Sequence, residues 1–94
     1  MFDIQTDEQN EIRLTGRFDA TQVDKAYEIF NQAQSSTIVD FEHLDYISSA
    51  GLSVLLKTQK RLKNSGEQLR LKNMNKHIRE IFKYAGFDMI FEIL

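Results

Sequence analysis

At 94 residues, 41% of them hydrophobic, the chain has apolar content for one core and too little length for a two-domain enzyme. Its 12 basic and 14 acidic residues are interspersed, giving a formal charge of −2 and no electrostatic footprint for nucleic acid. There is no cysteine, which excludes disulfides and thiolate chemistry, and no apolar run approaches the roughly 20 residues that span a bilayer.

The segment Met1 to Glu8 has neither the basic start nor the apolar core of a secretory signal, so a cytoplasmic location is expected. Phe2 and Ile4 alternate with polar residues, as do Ile12 and Leu14, on either side of Asp7-Glu8-Gln9-Asn10. That period of two predicts an antiparallel hairpin. The period then becomes helical: Val23, Ala26, Tyr27, Phe30 and Ala33 share one face of a helix over 21–34, with Thr21 as the expected cap and Asp24 three residues on.

Thr37-Ile38-Val39-Asp40-Phe41 is short and rich in β-branched residues, a central strand that is expected to end in a polar turn. Leu52, Leu55, Leu56 and Leu62 form the stripe of a second helix over 49–64, opened by Ser48-Ser49 and closed by Gly66. Lys57, Lys60, Arg61 and Lys63 lie late in it, where cations complement the negative end of the helix dipole. Leu69 and Leu71 mark another strand. Asn75 can cap a third helix bearing Ile78, Ile81, Phe82 and Ala85, with Gly86 at its end, and 89–94 reads as a last strand.

The order is therefore β-β-α-β-α-β-α-β in a single α/β domain over 1–94. Strand–helix–strand repeats favour parallel pairing with right-handed crossovers, while the opening hairpin is antiparallel, so the sheet should be mixed, with four or five strands. Strict alternation in several strands means that the three amphipathic helices cover one face and solvent meets the other.

The residues Leu14-Thr15-Gly16-Arg17-Phe18-Asp19, then Val39-Asp40-Phe41, then Tyr46-Ile47-Ser48-Ser49-Ala50-Gly51-Leu52 resemble a STAS domain of the anti-sigma factor antagonist family. The resemblance runs along essentially the whole chain and includes Lys83-Tyr84-Ala85-Gly86-Phe87 at the end of the third helix. It implies a non-enzymatic partner switch. The unphosphorylated protein binds a GHKL-type anti-sigma factor or serine kinase, phosphorylation by that kinase breaks the complex, and a PP2C-type phosphatase restores it. By position the phosphoacceptor falls on Ser49. Ser48 stands where many members have aspartate, and is a competing acceptor; Ala50 replaces a common second hydroxyl residue. The partner surface implied is Asp45, Tyr46, Ser48, Ser49, Ala50, Gly51 and Ser53, with Ala50 and Gly51 keeping the surface low.

Read without the resemblance, serine before a helix is a cap that satisfies backbone donors. A second function of the same surface is also open: a constitutive STAS subunit of an ABC lipid-transport ATPase, independent of phosphorylation. Asp40, Glu42, His43 and Asp45 are placed in the strand-to-helix loop, where their spacing matches no metal-ligand signature, and an acidic rim for a basic partner is the better reading. No cofactor is implied, since there is no glycine-rich phosphate loop. Phe2, Tyr27, Phe30, Phe41, Phe82 and Phe91 fall at core positions, whereas Tyr46 and Phe87 are candidate interface anchors. No apolar surface patch is evident in the pattern, and a monomer is expected.

Overall fold

The computed structural model covers residues 1–94. Strands β1 (Phe2–Thr6) and β2 (Ile12–Phe18) form the antiparallel hairpin. In its turn the Asp7 carboxylate accepts the N–H groups of Gln9 and Glu11. Strands β3 (Thr37–Ile47), β4 (Leu69–Lys72) and β5 (Glu92–Ile93) follow, each parallel to its predecessor, so that the spatial order β1-β2-β3-β4-β5 equals the chain order. The crossovers carry helices α1 (Val23–Phe30), α2 (Ser49–Lys63) and α3 (Lys76–Tyr84). No helix is long and apolar enough to cross a membrane.

A sheet that advances in one direction through right-handed crossovers places its helices on one face. Burial follows that geometry. Ile12, Leu14, Phe18, Val39, Phe41, Leu44, Ile47, Leu69 and Leu71 are buried beneath Ala26, Phe30, Leu52, Leu55, Leu62, Ile78 and Phe82 of the helices. The opposite face presents Arg13, Arg17, Arg70 and Glu92 to solvent. There Lys72 pairs with Glu11 at 2.6 Å, and this hydrogen bond holds the Lys72 ammonium above the usual lysine range.

Several expectations are corrected. The central strand does not end at Phe41 but runs 11 residues to Ile47, because it stays paired with β2 as far as Phe18 across two slips of register, between Arg13 and Thr15 and between Gly16 and Arg17. Each slip is a bulge that inserts a residue and reverses the side-chain phase. The core positions are then Val39, Phe41, Leu44 and Ile47, spaced two, three and three, which no alternation rule detects. Secondly, Thr21 is not a cap: Asp19 accepts the Thr21 N–H and opens a 3-10 turn at Ala20–Gln22, and α1 itself begins at Val23 without a side-chain cap. The helix also stops at Phe30 rather than reaching 34. The guanidinium of Arg61 donates to the Phe30 carbonyl at 2.9 Å, so this cation serves the end of α1 rather than its own helix. Thirdly, the last strand is reduced to Glu92–Ile93 by a 3-10 turn at Phe87–Met89. Finally, Phe87, whose exposure the pattern left open, is half-buried against the core. Its ring packs edge-on to Phe82 and tilted to Phe91, centroids 6.1 and 5.9 Å away.

Candidate functional site

Strand β3 delivers the chain to α2 at the edge of the core, and Ser48 makes the turn. Its backbone is extended, with φ −89° and ψ 172°, and its N–H donates to the Phe18 carbonyl at 2.9 Å, tying the turn to the end of β2. Its hydroxyl accepts the Gly51 N–H at 3.3 Å, while its carbonyl accepts the Leu52 N–H at 2.9 Å. Ser48 is thus an N-cap in both side chain and backbone. That leaves Ser49 as the first helical residue, exposed, with its hydroxyl outside the capping arrangement.

The two serines are therefore separated by role. The Ser48 hydroxyl is engaged in the helix cap, accepting the Gly51 N–H. Ser49 carries no such obligation. Helix residues four apart share a face, and Ser53 and Lys57 continue the exposed stripe below it.

Gly51 departs from the role assigned to it. It is buried, and a Cβ built on it would lie 2.8 Å from Ile47 Cγ1, 3.0 Å from the Phe18 carbonyl oxygen and 3.1 Å from Phe18 Cγ. The glycine allows the first turn of α2 to sit directly on the ends of β2 and β3, and it forms no part of an accessible partner surface. Ala50, half-buried beside it, stays at the rim.

Around this turn the structure brings together Asp45, Tyr46, Ser49, Ala50 and Ser53 as accessible groups. Tyr46 is half-buried, its ring covered by the Arg17 guanidinium at 4.3 Å from the centroid. Residues 17 and 46 are cross-strand partners, so the pair stands at the top of the solvent-facing sheet surface. An exposed cation–π pair contributes about 0.5–1 kcal/mol and holds both side chains in place. Asp19, one residue past the Phe18 carbonyl that anchors Ser48, has its carboxyl below the usual aspartate range. Hydrogen bonds from the Thr21 hydroxyl and the Thr21 N–H are the main causes, and Arg17 adds to them. Asp19 was not singled out from the sequence as part of the site; its position two residues before a threonine is the capping signal that would have found it.

The acidic rim expected from Asp40, Glu42, His43 and Asp45 dissolves into strand positions. Asp40 is 7% exposed, and accepts from the Glu42 N–H and from Asn73 Nδ2. It locks β3 to the end of β4 and does not face the serine turn. Glu42 and His43 are exposed, 4.0 Å apart, and no group of three or more His, Cys, Asp or Glu is arranged to hold a metal ion. Asp45 alone of the four remains beside Tyr46 and the helix start.

A mixed five-stranded sheet with helices on one face, whose central strand feeds an exposed serine at a helix start, defines a small α/β domain of STAS architecture. The chain belongs to the STAS domain family: a family model described as "Mlab, STAS domain" matches residues 2–94. Among curated proteins it is similar to a putative anti-sigma factor antagonist, BtrV, of Bordetella bronchiseptica, with 39% identity over 74 residues. That match takes in 79% of this chain and 58% of the relative, so the chain spans little more than half of that protein's length. Among solved structures, the anti-sigma factor antagonist SpoIIAA in its unphosphorylated form superposes with a TM-score of 0.72 at 17% identity, over 100% of this chain and 87% of that one. A putative anti-sigma factor antagonist from Thermotoga maritima gives a TM-score of 0.78 at 16% identity, over 99% and 85%. These two likenesses establish the fold.

Proposed function

We propose that this chain is an anti-sigma factor antagonist controlled by phosphorylation of Ser49, and that it acts in the cytoplasm as a binding protein and not as an enzyme. One observation carries the reading: of two adjacent serines at the start of α2, Ser48 is spent on the cap and Ser49 is exposed and free of it. The BtrV relative supports the role, and SpoIIAA, solved also in its phosphorylated form, supports the kind of control.

A phosphoserine adds about −1.5 to −2 charges at neutral pH. At the first residue of a helix it lies beside backbone donors with no intrahelical acceptor, a location worth roughly 0.3–1 kcal/mol to an exposed anion. The free protein therefore keeps its fold on modification. In a complex the same group is desolvated against the partner, and an unpaired charge there costs on the order of several kcal/mol. With about 1.4 kcal/mol per tenfold, the switch works on affinity, not on stability.

The partner in this reading is a GHKL-type anti-sigma factor or serine kinase that contacts Asp45, Tyr46, Ser49, Ala50 and Ser53, with Ser48 held just beneath them; a PP2C-type phosphatase resets the switch. The test is a quantitative pull-down from the source cell with wild-type, Ser49→Ala and Ser49→Asp baits, the bound proteins being identified by mass spectrometry. A kinase or anti-sigma factor held by the first two and released by the third supports the proposal. An ABC ATPase held equally by all three refutes it, and leaves a constitutive subunit with Ser49 as a bystander.

A further inference from the structure

The late basic run of α2 is divided by the fold. Arg61 turns inward to the Phe30 carbonyl, whereas Lys60 and Lys63 turn to the other side and line a shallow open groove of about 580 Å³ with Leu56, Gln59, Asn64 and Ile90. Ile90 is 40% exposed, and its neighbour Met89 is 88% exposed. The groove is built rather than incidental: the Gln59 amide, 1% exposed, donates to the Ile90 carbonyl at 3.0 Å and accepts the Leu69 N–H at 2.7 Å, fixing the turn at Phe87–Met89 against α2 and β4. Neither Lys60 nor Lys63 is in an ion pair, although the other face of the sheet pairs Arg13, Arg70 and Lys72 with carboxylates.

We infer that this groove is a second docking surface, and that its occupant is an acidic amphipathic helix of a partner protein. The apolar floor of Leu56 and Ile90 takes the side chains of one helix face, and the two unpaired ammonium groups at the rim take flanking carboxylates. An open groove floored by two aliphatic residues suits side chains that dip in from one side; it has no enclosed depth for an acyl chain. Ser49 and Lys63 stand 14 residues apart on one helix, about 20 Å at 1.5 Å per residue, so occupancy here does not depend on the state of Ser49. The inference is therefore independent of the proposed switch.

The test uses two labelled synthetic peptides of about four helical turns, with the same leucine spacing and either glutamate or lysine on the polar face. Fluorescence anisotropy measures affinity, and amide shifts of the isotope-labelled chain locate the site. Expected are binding of the glutamate peptide alone, with shifts centred on Leu56, Lys60, Lys63 and Ile90. The double variant Lys60→Glu/Lys63→Glu should lose about tenfold or more for that peptide and gain the lysine peptide, while Ser49→Asp changes neither. Circular dichroism confirms that the double variant is folded. Equal binding of both peptides, shifts elsewhere, or indifference to the charge reversal overturns the inference. So does binding to vesicles of phosphatidylglycerol without binding to the glutamate peptide, which would make the groove a lipid contact.

Discussion

Replacing Gly51 by alanine separates a packing glycine from a surface one. As an ordinary helix position, Gly51→Ala should gain about 1 kcal/mol from the better helix former. The geometry opposes that gain. The new methyl would meet Ile47 Cγ1 at 2.8 Å and the Phe18 carbonyl oxygen at 3.0 Å. Ile47 is 2% exposed and cannot turn aside, and the Phe18 carbonyl is the acceptor that holds Ser48. Relief requires α2 to lift from the sheet by several tenths of an ångström, in the range of overpacking that costs about 1–3 kcal/mol. The overpacking cost cancels or outweighs the helix-propensity gain, for a net change between zero and a loss of about 2 kcal/mol, and Gly51→Val should lose more. Urea titration followed by circular dichroism measures it directly through the midpoint at constant slope. A Gly51→Ala protein more stable than wild type by the full propensity gain of about 1 kcal/mol would refute the packing assignment and return the glycine to the partner surface.

Three further outcomes follow from the same geometry. Ser48→Ala should lose about 1 kcal/mol in urea unfolding through the missing cap, whereas Ser49→Ala should stay within about 0.5 kcal/mol of wild type; equal effects would erase the division of labour between the serines. Gln59→Met leaves the buried Leu69 N–H without its acceptor, and should cost about 1–3 kcal/mol by the same assay, with faster amide exchange at Leu69 as its local signature. The depressed Asp19 carboxyl contributes stability that is present above the ordinary aspartate pKa and is lost as pH falls through its folded value. Asp19→Asn should therefore lower the urea midpoint relative to wild type at pH 7, and the gap should close toward pH 2; a gap that persists there would show that charge plays no part.

How far the sequence carried the account depends on whether a residue's task is local. The cap at Ser48 was legible because a small hydroxyl residue directly preceding an apolar helical stripe has one common role, and Asn75 was legible on the same ground, accepting the Ile78 N–H at 2.9 Å. Gly66 closes α2 with φ +74°, where the Glu67 N–H reaches back to the Leu62 carbonyl, again a local matter. The β3 extension was not legible, since its two bulges exist only in relation to β2 and scramble the period that would announce a strand. Gly51 was misassigned for a related reason: what a Cβ would strike is the inward-facing Ile47 of β3 together with Phe18, in a strand 33 positions away along the chain, and neither contact exists until α2 packs on the sheet. Gln59 went unnoticed because a glutamine in a helix reads as solvated until the two backbone groups it satisfies, on Leu69 and Ile90, are brought to it. The resemblance pointed to Ser49 as the proposed phosphoacceptor; the fold shows Ser48, and not Ser49, engaged in the helix cap.

The most direct test of the central claim is an isothermal titration of the captured kinase or anti-sigma factor with the chain in two forms, unmodified and stoichiometrically phosphorylated on Ser49, alongside thermal unfolding of each form alone. The account predicts affinity lower by about 100-fold or more for the phosphorylated form, from an unpaired charge of several kcal/mol in the interface, with unfolding temperatures that coincide. Equal affinities, or a phosphorylated chain that no longer folds, would contradict it.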